Sequence, residues 1–140
     1  MRPEQTAEQI HSATIHLLRR LRQADAASGL NSPRLSALSV IVFAGPLTLG
    51  QLADAEQVKP PTMTRIVQAL EAKGLVRKIA NPEDRRTIHL AATMTGKRLL
   101  LRARRRRIQP LAEGIRGLAR DEQRTLHAAM TILGGLLRGL

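Results

Sequence analysis

Chemistry in this sequence is concentrated in two short stretches. In the first, Thr62, Thr64, Arg65 and Gln68 fall outward on a helix whose inner face carries Met63, Ile66 and Val67. Hydroxyl, guanidinium and amide side chains of this kind reach base edges and phosphate oxygens. In the second, Arg85 and Arg86 stand side by side in the turn Asn81-Pro82-Glu83-Asp84-Arg85-Arg86. An arginine at the tip of a β-ribbon can enter a narrow minor groove, where the negative potential is enhanced. Asp84 is placed to hold one of these guanidiniums. Each stretch also has a plainer reading. The helix could belong to a polar-faced hairpin of an α-bundle, and the turn could be an ordinary solvated one.

Other chemistry is sparse. The chain has no Cys, so disulfides, thiolate metal sites and thiol redox sensing by this chain are excluded. The histidines His11, His16, His89 and His127 lack metal-ligand spacing. His11 and His16 would stand about 140° apart around a helix. No nucleophile–base pair, phosphate loop or dinucleotide fingerprint occurs. These readings predict neither an enzyme, nor a metal site, nor a bound cofactor.

The net charge is +12, and from Lys59 to Arg107 there are 14 Lys/Arg against 3 Asp/Glu, so this stretch holds +11 of it. That is the footprint of a polyanionic partner. Lys59, Lys73, Arg77 and Lys78 are assigned to general charge. The run Arg102-Ala103-Arg104-Arg105-Arg106-Arg107 would spread around most of a helix, which favours a solvated face over a single ligand site. No stretch approaches the roughly 18 apolar residues of a membrane span, and the first residues lack the apolar run of a signal peptide. A cytoplasmic protein without membrane contact is the expectation.

The elements that must position these residues are legible from periodicity. A helix over 4–27 carries Ile10, Thr14, Leu17, Leu18 and Leu21 on one face. Ser32-Pro33 reads as N-cap and first helical residue of a helix over 33–44, with Leu35, Leu38, Ile41, Val42 and Phe43 as its apolar set. Thr48 caps a short helix to Glu56, and a turn over Gln57-Val58-Lys59 leads through Pro60-Pro61 into a helix from Thr62 to Lys73. Gly74 suits its left-handed end. Leu75–Ala80 and Thr87–Ala91 form a hairpin. A helix over 95–118 follows, which Pro110 should kink or locally break. A last helix opens at Asp121, with Leu126, Met130, Leu133, Leu137 and Leu140 at steps of 4, 3, 4 and 3. That narrow seam suits packing on another helix.

The run Leu49-Gly50-Gln51-Leu52-Ala53 to Leu70-Glu71-Ala72-Lys73-Gly74-Leu75-Val76, then Asp84-Arg85-Arg86 and Thr93-Met94-Thr95-Gly96, resembles the MarR (multiple antibiotic resistance regulator) family. Ala92, Met94 and the paired prolines 60 and 61 depart from its usual pattern. The resemblance implies a mainly α fold with a small β-hairpin: a winged helix-turn-helix over 33–94, flanked by dimerisation helices over 1–32 and 95–140, in one domain of 1–140. It implies double-stranded DNA as partner, with the helix near 61–73 in the major groove and the wing in the minor groove. It further implies a homodimer, through Ile10, Leu17, Leu21, Leu126, Met130, Leu133 and Leu137, binding a pseudo-palindromic operator. A repressor released by a small-molecule effector is the expected mode. Two other classes fit parts of the pattern: a basic RNA-associated protein, and a winged-helix protein-interaction module such as an anti-regulator.

Overall fold

The structure, a computed structural model, describes residues 1–81 and 83–140. Pro82, part of the expected wing tip, lies outside the described residues. Along the chain come α1 (Pro3–Asp25), a 3-10 turn (Ala26–Ser28), α2 (Ser32–Ala44), α3 (Leu49–Glu56), α4 (Pro60–Ala72), β1 (Val76–Ala80), β2 (Ile88–Ala92), α5 (Met94–Arg116) and α6 (Arg120–Arg138). Contacts group the chain into two compact units, Met1–Arg106 and Arg107–Leu140.

The core of the first unit is aliphatic, as a chain with one Phe and no Trp or Tyr requires. Leu38, Ile41, Leu52, Met63 and Leu70 are fully buried, and Leu75, Val76, Leu90, Leu100 and Ala103 close around them. Phe43, expected on the inner face of α2, is 61% exposed. Two residues beyond Ile41, it lies about 200° around the helix from it and so faces out.

Three local expectations are corrected. The cap of α2 is Asn31, whose side-chain oxygen accepts the Arg34 amide at 3.0 Å; Ser32 is already helical. Asn is as good a cap as Ser, and its position one residue earlier lets Pro33 sit within the first turn. The helix expected from Thr62 starts instead at Pro60, with Lys59 as its cap residue. Neither proline gives up an intrahelical bond, because first-turn amides have no partner in any case. The break expected at Pro110 is absent, and α5 continues to Arg116. What Pro110 removes is one N–H, leaving the Arg106 carbonyl without its donor four residues on.

The hairpin is antiparallel, with Val76 opposite Ala92, Lys78 opposite Leu90 and Ala80 opposite Ile88. Leu47 adds a bridge to Leu90, its N–H and C=O bonding at 3.2 and 2.7 Å. The α2–α3 connection is thereby tied to the hairpin. The first unit's α1 is open along its length: from Pro3 to Arg20 every residue is exposed except the half-buried Ile10.

In the second unit α6 buries no residue. Its first turn is closed by Glu122, whose carboxylate accepts the Ala119 amide at 3.0 Å. Leu126 and Leu133 are half-buried, whereas Met130 and Leu137, with Ile132 and Leu136 beside them, lie exposed. Among the described residues no helix is long and apolar enough to cross a membrane.

Candidate nucleic-acid interface

The outward row of α4 is held by everything packed beneath it. Helix α3 starts at a reciprocal cap: Thr48 Oγ1 accepts the Gln51 amide at 3.1 Å, and Gln51 Oε1 accepts the Thr48 amide at 2.9 Å. At its end Gln57 adopts the left-handed conformation, with φ of 55°. Its amide bonds back to the Ala53 and Asp54 carbonyls, and the amide of half-buried Val58 also reaches Ala53. Ala53, fully buried, is the small residue that lets the two helices approach. Ser36 of α2 braces this corner by donating to the Glu56 carboxylate at 2.8–2.9 Å.

Met63, Val67 and Leu70 are the inner face of α4, so the opposite face is dictated by the 3.6-residue turn. Thr62, Arg65 and Gln68 lie on it, exposed and without a hydrogen bond or ion pair among the described residues. Thr64 differs from the other three: it is half-buried and its hydroxyl donates to the Pro60 carbonyl at 3.0 Å. Lys59 and Lys73 stand at the two ends of α4, both exposed. Since Pro60 and Pro61 have no N–H, this helix start offers fewer backbone donors to a phosphate than usual. Side chains must supply the difference.

The tip of the hairpin is built by two carboxamide or carboxylate turns. Asn81 Oδ1 accepts the Glu83 amide, and Asp84 Oδ1 accepts the Arg86 amide, each at 3.0 Å. The Thr87 amide then bonds the Asp84 carbonyl at 3.0 Å, so Arg85 and Arg86 occupy the two corner positions of a β-turn. The expected Asp84–guanidinium pair exists only loosely, at 4.0 Å to Arg86 Nε, with the arginine 96% exposed. Asp84 therefore acts on the backbone: it shapes the turn, and the turn aims both arginines outward. On the strands Arg77 is exposed, and Lys78 leans back to Glu71 at 3.6 Å, which leaves it less free than Arg77 to meet a ligand.

The hairpin is locked to α5 by Thr93 and Gly96. Thr93 Oγ1 donates to the Gly74 carbonyl at 2.6 Å and accepts the Gly96 amide at 3.0 Å, while the Thr93 amide bonds the Leu75 carbonyl. One residue thus caps α5 and ties the end of α4 to the end of β2. The sequence motif Thr93-Met94-Thr95-Gly96 carries this signal, but spacing alone does not reveal that both residues meet the Gly74–Leu75 backbone. Replacing Thr93 with Val keeps the shape and removes both side-chain bonds. The expected loss is about 1–3 kcal/mol of stability, because the buried Gly96 amide is left without an acceptor; urea unfolding of the two proteins measures it.

Comparison with known proteins now bears on this arrangement. The family model described as the MarR family matches residues 30–88. A Mycobacterium bovis protein named as an uncharacterized HTH-type transcriptional regulator is 34% identical over 131 residues, covering 94% of this chain and 92% of its own. The chain belongs to the MarR family. Among solved structures, a MarR family protein from Bacillus stearothermophilus superposes with a TM-score of 0.86 at 20% identity, covering 99% of each chain. A mutant of S. aureus MepR, bound to an oligodeoxyribonucleotide, gives 0.70 at 18% identity, covering 94% of this chain and 97% of that one. The expected mainly α winged helix-turn-helix is the fold observed, and this MarR family member is a transcriptional regulator of the helix-turn-helix type.

Proposed function

We propose that the protein binds a pseudo-palindromic DNA operator as a homodimer and represses transcription there. The observation that carries the reading is the set of unpaired polar and cationic side chains on one recognition unit. Thr62, Arg65 and Gln68 line the outward face of α4, and Arg85 and Arg86 stand at the hairpin corner. In this reading α4 enters the major groove, where Arg65 and Gln68 read base edges and Thr62 and Lys59 meet phosphates. Thr64, with its hydroxyl turned to Pro60, contributes its methyl and the shape of the helix start. The hairpin follows the adjacent minor groove. Lys73, Arg77 and Lys78 add charge to the flank.

Dimerisation in this proposal covers the apolar faces left open in the single chain. Leu17, Met130 and Leu137 are exposed, and Ile10, Leu21, Leu126 and Leu133 are half-buried. A two-fold axis then sets the two α4 helices about one DNA turn apart. An effector that binds one spacing of these helices more tightly than the other would release the operator.

The test is a titration of the purified protein against DNA flanking its own coding sequence and against unrelated DNA of equal length. The expected result is tight binding to one segment, with log affinity falling by about 0.9 per phosphate contact as log salt rises. Equal binding of all sequences, or stronger binding to duplex RNA, would refute the operator reading.

A further inference from the structure

The turn between α5 and α6 forms an open hollow lined by Arg116, Leu118, Arg120, Gln123, Arg124 and His127. Three guanidiniums crowd within nine residues of chain, and among the described residues none of them has an ion-pair partner. Nearby Glu122 is committed to the Ala119 amide, and Arg124 Nε reaches only the Arg120 carbonyl at 3.4 Å. Like charges gathered this way repel one another unless an anion arrives.

The opposite charge is carried by α1. From Pro3 to Leu18 the only Asp, Glu, Lys or Arg residues are Glu4 and Glu8. Being four apart, they share one helix face; both are exposed and neither has a partner. The same half of α1 also presents Ile15, Leu17 and Leu18 to solvent.

We propose that the α5–α6 hollow receives the acidic first half of α1 from a second copy of this chain, Glu4 and Glu8 pairing with Arg116, Arg120 and Arg124. The inference rests on the homodimer reading and adds its register. A small free anion is a poorer occupant. The hollow is open and its arginines are exposed, so solvent would screen a lone anion, whereas a helix brings two carboxylates together with an apolar face. Two-fold symmetry makes the contact twice. Its role is choice of register, since mismatched dimers juxtapose like charges.

Charge reversal tests this. One variant carries Glu4→Arg and Glu8→Arg; the other carries Arg116→Glu, Arg120→Glu and Arg124→Glu. Sedimentation measures self-association, and circular dichroism confirms helix content. Each variant alone should dimerise about tenfold or more weakly than wild type. Mixed, they should form heterodimers well beyond the statistical share, because both contacts of the mixed pair are again attractive. Should reversal disturb folding, Arg116→Gln with Arg124→Gln replaces it, with weakened self-association expected. Variants that self-associate like wild type, or that mix statistically, overturn the proposal. So does inorganic phosphate that raises the wild-type melting temperature through these arginines while reversal leaves dimerisation unchanged; that result assigns the hollow to a small anion. A wild-type chain that is monomeric at micromolar concentration instead removes the homodimer reading itself.

Discussion

Arg65→Ala and Arg86→Ala should each weaken operator binding by about 5- to 150-fold, the range for one base- or groove-reading arginine. Thermal unfolding of the free protein should be unchanged in both. Each side chain is exposed: Arg65 has no partner in the free chain, and the only contact of Arg86 is a solvent-screened 4.0 Å approach to Asp84. Truncation therefore removes nothing that holds the fold together. The two losses should combine almost additively, because one residue lies on α4 and the other at the hairpin corner. Arg65→Lys should not restore binding fully, since an ammonium lacks the planar fork that matches two acceptors on guanine. A fluorescence-anisotropy titration against operator and unrelated DNA checks all of this. Wild-type affinity in both single variants would move the site away from these residues.

Gly96→Ala should be among the most damaging single substitutions in the chain. A Cβ at position 96 would lie 2.0 Å from the Leu75 carbonyl oxygen and 2.9 Å from its carbon. Those atoms are backbone and cannot swing aside as a flexible side chain would. Either α5 must move away from the strand, losing the Thr93 cap and its bond to Gly74, or the hairpin must shift. The expected destabilisation is about 3 kcal/mol or more, the upper end of the usual overpacking range. Gly50→Ala is the contrasting substitution. A Cβ there meets only Thr48 Oγ1, at 3.9 Å, in the exposed first turn of α3. It should stabilise by about 0.5–1 kcal/mol, because alanine loses less backbone entropy in a helix. Urea unfolding of the two variants should move in opposite directions, and equal shifts would contradict the close-approach argument.

Much of the candidate site is legible in the sequence because it depends on local rules. The 3.6-residue period that puts Met63, Val67 and Leu70 inside must put Arg65 and Gln68 outside. Asn81 and Asp84 announce their turns because a short polar side chain bonds its own backbone two residues on. Gly74, with φ of 70°, marks the end of α4 because glycine takes that conformation without strain. Where local rules competed, the reading slipped. Asn31 and Ser32 are both good caps, and only the folded chain selects the former. Gln57 takes a left-handed φ that its residue type does not advertise, held there by amide bonds to Ala53 and Asp54 and by the burial of Val58 beside it.

Fold class, the order of the elements, the basic stretch from Lys59 to Arg107 and the identity of the outward row on α4 therefore follow from the order of residues alone. Periodicity, capping and turn chemistry act over a few residues, and charge needs no fold to be counted. Only the tertiary structure decides that Thr93 clasps the Gly74 carbonyl, that Gly96 leaves room for Leu75, and that Asp84 shapes the backbone of its turn more than it grips a guanidinium. It likewise decides that Thr64 is turned inward, and that Arg116, Arg120 and Arg124 share one hollow with His127. Such contacts join residues by distance and direction in space. Between Gly74 and Thr93 an entire hairpin intervenes, and no local rule spans it.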